Sequence, residues 1–93
     1  MKITVQLEAQ LRQAASADVL SPELPEGSTV ADALQSAAAL SAPVKSRLFD
    51  EHNRVQRSVL VFVNDQPVSA DAVEQRLLNE GDVILLLPAI SGG

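Results

Sequence analysis

Residues 80–93 read Glu80-Gly81-Asp82-Val83-Ile84-Leu85-Leu86-Leu87-Pro88-Ala89-Ile90-Ser91-Gly92-Gly93, or EGDVILLLPAISGG. Glu80-Gly81-Asp82 is a turn, and Val83 to Leu87 has the length and composition of a strand. Pro88 has no amide hydrogen to offer a ladder and is expected to end that strand. The residues beyond the strand read as a free tail: five or six extended residues reach roughly 17–20 Å, enough to enter a neighbouring protein's active site. Gly92 and Gly93 present only backbone, so they fit a channel too narrow for a Cβ and leave the terminal carboxylate as the sole reactive group. The competing reading is a frayed terminus, the common fate of terminal glycines.

Upstream, Ser58 to Val63 (SVLVFV) is a second apolar strand, closed by the turn Asn64-Asp65-Gln66-Pro67, after which Val68 and Ser69 can pair back. Ala70 to Asn79 reads as a short helical or irregular segment with Val73, Leu77 and Leu78 turned inward. Both strong strands are apolar at both parities. Since alternate residues of a strand face opposite sides, one set can meet a helix while the other needs different cover. Part of Leu60, Phe62, Ile84 and Leu86, or of their neighbours, is therefore the candidate partner surface. The alternative is that residues 41–57 fold over that face.

Toward the N-terminus, KITVQLE at 2–8 alternates strictly, with Ile3, Val5 and Leu7 on one side, and reads as a half-buried strand. A short helix is expected from about Ala9 to Ala15. Asp18 to Leu24 reads as a second strand that Pro22 confines to a sheet edge or a bulge. Thr29 opens the clearest helix, TVADALQSAAAL, with Asp32 placed to complete the cap. Its stripe of Val30, Ala33, Leu34, Ala37 and Ala38 can lie close against a sheet. Residues 41–57 are the most polar stretch, in which Pro43 can open one or two helical turns with Val44 and Leu48 on one face.

The 93 residues suffice for one domain with one core. The domain is read as spanning 1–93, with a flexible tail at 88–93. A hydrophobic fraction of 46% argues for a folded chain, and the two aromatics, Phe49 and Phe62, leave the core aliphatic. The net charge of −5 argues against a nucleic-acid partner, which needs clustered cations. The absence of cysteine excludes disulfides, thiolate metal sites and a cysteine nucleophile. Met1 leads straight into a strand and no apolar run approaches membrane-spanning length, so the expectation is a soluble, cytoplasmic protein without a membrane partner.

Little else in the chain carries chemistry. His52 is the sole histidine and sits in a polar loop with Asp50 and Glu51, where solvated charge is a better reading than a metal site or a general base. No serine lies in a G-x-S-x-G elbow, and no phosphate-cradling glycine loop occurs. An acyl carrier is set aside because the chain has no Asp-Ser-Leu attachment triplet and at least three of its segments are strands. No metal and no bound cofactor are expected.

The order of elements and three segments, LPEGSTVADAL at 24–34, VFVNDQPV at 61–68 and EGDVILLLPAISGG at 80–93, resemble the ThiS/MoaD-type sulfur carriers. These are the molybdopterin-synthase small subunits and thiamine-biosynthesis carriers. The resemblance covers the whole chain. It implies an α+β fold of the ubiquitin-like β-grasp type, a mixed sheet of four to five strands packed on one main helix. It also implies a carrier that is not itself an enzyme, although it would form the small subunit of a molybdopterin synthase. A ubiquitin-activating-type adenylyltransferase would use ATP and Mg to adenylate the Gly93 carboxylate. A sulfur donor would then make it a thiocarboxylate. Pro88, Ala89, Ile90, Ser91 and Gly92 would thread into the partner. The sulfur would pass to a second enzyme, first of all a molybdopterin synthase large subunit. Cysteine or thiamine biosynthesis and ubiquitin-like protein modification are the alternatives. One departure is that Ile84 to Leu87 stand where aromatics are often found in the molybdopterin carriers.

Overall fold

The computed structural model describes residues 1–89. Ile90, Ser91, Gly92 and Gly93, with the roles expected of them, lie outside the described residues. In chain order the elements are β1 (Thr4–Leu7), α1 (Ala9–Ala15), β2 (Val19–Leu20), α2 (Val30–Leu40), α3 (Ala42–Leu48), β3 (Val59–Val63), β4 (Gln66–Val68) and β5 (Val83–Pro88).

Among the described residues the strands form one five-stranded sheet in the order β2-β1-β5-β3-β4. β5 therefore lies at its centre. It runs parallel to β1, with Thr4 opposite Val83 and Leu7 opposite Leu86, and antiparallel to β3, with Val59 opposite Pro88 and Val63 opposite Ile84. The sheet is thus mixed. Its edges are β2, which Pro22 follows closely, and β4, which contains Pro67, positions where a missing donor costs little.

α2 forms as its sequence requires. Thr29 Oγ1 accepts from the Asp32 amide at 3.2 Å, and Asp32 Oδ2 accepts from the Thr29 amide at 2.9 Å, a reciprocal cap. The remaining free amides of the first turn find carbonyls in the irregular segment before β5: Val30 donates to Arg76 at 2.9 Å and Ala31 to Val73 at 2.8 Å. Its apolar stripe of Val30, Ala33, Leu34, Ala37 and Ala38 is buried as expected. It meets Ile3, Val5, Leu7, Val59, Val61, Val63, Ile84 and Leu86 of the sheet in one core, which Leu11 of α1 and Val44 and Leu48 of α3 complete.

Four local expectations change. The second strand shrinks from Asp18–Leu24 to Val19–Leu20 plus an isolated Lys2–Glu23 bridge, because Pro22 interrupts the ladder. The hairpin turn is tighter than a four-residue turn: Asn64 and Asp65 both adopt positive φ, +50° and +71°, as a two-residue turn matched to strand twist requires. Pro67 then pairs with Phe62 inside β4. Leu77 is 58% exposed although Val73 and Leu78 are buried. Residue 77 bridges Thr29 in extended backbone, so it and Leu78 point to opposite sides.

Candidate functional site

β5 carries the chain from the base of the sheet to the point where the C-terminal residues begin. It runs one residue further than its apolar pattern implies, since Pro88 is its last residue and lies opposite Val59. The next amide is also engaged: Ala89 N–H donates to the Ser58 carbonyl at 2.6 Å. Pro88 and Ala89, expected to thread into a partner as part of a tail at 88–93, are instead held against β3. A proline at this position costs the β3–β5 ladder nothing, because residues opposite one another in an antiparallel pair are only alternately hydrogen-bonded.

Beside this root lies an open cavity of about 260 Å³ lined by Leu11, Arg47, Gln56, Val59, Pro88 and Ala89, among others. Its walls are positioned by hydrogen bonds within the connection that precedes β3. Gln56 Nε2 donates to the Phe49 carbonyl at 2.8 Å and to that of Ser46 at 3.2 Å, while Arg47 Nη1 donates to the Pro43 carbonyl at 3.1 Å. The loop after α3 is tied by Asp50, whose Oδ1 accepts from the amides of His52 at 2.8 Å and Arg54 at 3.0 Å. The Arg54 amide is the main cause that holds the Asp50 carboxyl below its ordinary value; desolvation opposes it, while the His52 amide and the nearby His52 and Arg54 charges add to it. Asn53 at the tip of this loop takes φ +62°.

Of the four residues expected to form the partner surface, Leu60 is 42% exposed and Phe62 half-buried. Ile84 and Leu86 are fully buried and so are no part of an exposed face. The physical reason is register. In the antiparallel pairing Leu60 lies opposite Leu87 and Phe62 opposite Leu85, so these share the open face, while Ile84 and Leu86 lie opposite Val63 and Val61 and face α2. The open face is therefore Leu60, Phe62, Leu85 and Leu87, with Pro67 beyond Phe62 on one side and Thr4 and Gln6 beyond β5 on the other. Leu85 and Leu87 are the chain neighbours of Ile84 and Leu86, and apolar composition alone does not say which parity meets the helix.

The connection at 41–57 does not cover this face. α3 packs on α2 and α1 and buries Val44 and Leu48 in the core, on the other side of the sheet. His52 is exposed, with Nε2 3.5 Å from the exposed Glu51 carboxylate. Among the described residues no group of three or more His, Asp or Glu side chains could hold a metal ion, and no helix is long and apolar enough to cross a membrane.

The model of the ThiS family matches residues 5–93. Among solved structures, the chain is similar to SAMP1 from Haloferax volcanii, with 22% identity and a TM-score of 0.90 over 100% of both chains. It is 30% identical to the putative molybdopterin converting factor subunit 1 from Pyrococcus furiosus, covering 97% of this chain and 99% of that one with a TM-score of 0.75. It is also similar to a chain of the Amycolatopsis orientalis BexX/CysO complex, with 27% identity, 98% and 99% coverage and a TM-score of 0.78. No match is found among curated proteins. These likenesses establish the expected ubiquitin-like β-grasp fold.

Proposed function

The chain belongs to the ThiS family of ubiquitin-like proteins, and from that premise we propose that it is a sulfur carrier whose reactive group is the terminal carboxylate of Gly93. The observation that carries this reading is the placement of β5: the central strand of the sheet, still paired at Ala89, leads into four final residues ending in Gly-Gly.

A carboxylate resists nucleophiles because oxide is a poor leaving group. In the first proposed step a Gly93 carboxylate oxygen attacks the α-phosphorus of ATP, forming an acyl adenylate and releasing pyrophosphate. In the second, a hydrosulfide equivalent from a sulfur donor adds to the acyl carbon and AMP leaves, so that a thiocarboxylate remains. ATP and Mg belong to the activating enzyme, an adenylyltransferase of the ubiquitin-activating type. The chain's own part is to dock and to present its end. The open face of Leu60, Phe62, Leu85 and Leu87 supplies the docking area. A thiocarboxylate is a sulfur nucleophile, and its acceptor is a second enzyme of cofactor biosynthesis in the cytoplasm. The 30% identity to a putative molybdopterin converting factor subunit supports molybdopterin as the destination.

Mass spectrometry of the chain, purified together with the activating enzyme, Mg-ATP and a sulfur source, tests this. The expected product has one oxygen replaced by sulfur. Isopeptide conjugates to lysine in place of that species would assign the chain to the modifiers, and the absence of both would refute activation of the terminus.

A further inference from the structure

We infer that Pro88 and Ala89 act together as a one-sided clasp that sets the reach of the reactive terminus. The inference rests on the carrier reading, and it concerns residues that touch neither ATP nor sulfur.

β5 has a neighbour on each side, and among the described residues the pairing reaches further on one side than on the other. On the β1 side the last rung runs from the Glu8 amide to the Leu86 carbonyl at 3.1 Å. In a parallel ladder the next rung would run from the amide of residue 88 to the Glu8 carbonyl. Residue 88 is proline, so that rung cannot form. On the β3 side the pairing continues past the proline, through Ala89 N–H to the Ser58 carbonyl at 2.6 Å. The chain is thus released from β1 after residue 86, while β3 still holds it at residue 89, the last of the described residues.

This geometry counts residues. Four follow Ala89, Ile90 to Gly93. They span about 13–14 Å when extended, whereas a tail starting at Pro88 would add about 7 Å. An active site that must bring a carboxylate within bonding distance of a phosphorus atom is sensitive to such differences, because misplacement by about 1 Å can cost on the order of a hundredfold in rate. Pro88 and Ala89 are accordingly positioning residues, and the Ser58 carbonyl is their anchor.

The test is compensation of length, read as ATP–pyrophosphate exchange with the full chain and its activating enzyme. Deleting Ser91 keeps Gly-Gly but withdraws the carboxylate by about 3.5 Å. The expected result is a fall in kcat on the order of a hundredfold with KM for the carrier unchanged. Adding Ala89→Pro, which removes the amide donor, frees the clasp and should recover at least about tenfold of that loss. No recovery in the double variant, with its unfolding midpoint unchanged, overturns the clasp. An independent reading is hydrogen exchange in the isolated protein, where the Ala89 amide should be protected at least about tenfold over an unstructured peptide. An unprotected amide also overturns the proposal. If the wild type gives no exchange reaction while the amide is protected, it is the carrier reading that fails, and the role in reach falls with it.

Discussion

Asn64 and Asp82, 18 residues apart in the chain, lock the base of the sheet: Asn64 Nδ2 donates to Asp82 Oδ1 at 2.9 Å. The same Asn64 side chain accepts from the Val83 amide at 3.0 Å, and Asp82 Oδ2 accepts from the Asn79 amide at 2.8 Å. The turn after β3 is thereby fastened to the start of β5. Asn64 also stands at φ +50°, a conformation that asparagine tolerates better than most residues. Asn64→Ala should therefore lose about 2–3 kcal/mol, from backbone strain and from a largely buried carboxylate deprived of a partner. Asn64→Gly relieves the strain and should lose about 1 kcal/mol less. Denaturant unfolding of the two variants checks the ordering.

The open face and the core face of β5 predict opposite phenotypes from adjacent positions. Leu86 is fully buried, and Leu86→Ala should destabilise by about 2–5 kcal/mol. Leu85→Asp should fold with a loss under about 1.5 kcal/mol and, on the proposed function, raise KM for the proposed activating enzyme by about tenfold or more, since it puts a charge into the proposed docking area. Thermal melts and exchange kinetics separate the two.

Thr29→Ala breaks the reciprocal cap of α2 and should cost about 1 kcal/mol. Its Val30 and Ala31 amides keep their carbonyl partners at Arg76 and Val73, so the helix should not fray beyond its first turn. Circular dichroism with denaturant titration reads both outcomes.

The Asp50 carboxyl is held below its ordinary value in the folded chain, so its ionised form favours folding. That contribution is complete above the usual aspartate value of about 3.9 and is lost as pH falls through the lower folded value. Asp50→Ala should be less stable than the wild type at neutral pH. The gap between their unfolding midpoints should close on acidification below that range and stay constant above about pH 6.

Gly92→Leu adds a side chain where only backbone is expected to pass. Adenylation should fall on the order of a hundredfold, while the unfolding midpoint stays unchanged. Normal turnover would contradict the narrow-channel argument.

Much of this was legible without coordinates. α2 could be read because cap, periodicity and small residues all point to one state, and α1 and α3 because good helix formers and a first-turn proline mark their bounds. The Gly-Gly end drew attention to the carboxylate for want of any rival chemistry. What could not be read was relational. The face of Ile84 and Leu86 is hidden in the sequence because an all-apolar strand has no alternation to break, so only its register with Val61 and Val63 tells inside from outside. The hold on Ala89 was equally hidden, since its partner is a backbone carbonyl at Ser58, and a carbonyl is common to every residue.

The pairing of Thr4 with Val83 means that the first strand waits for the last one before it has a neighbour on its inner side. During synthesis β1 and β3 emerge with no bridge between them, and contacts so distant in sequence form slowly. Without β5 the two halves of the sheet, β2-β1 and β3-β4, have no strand to join them, so the last strand to be made is the one that closes the fold.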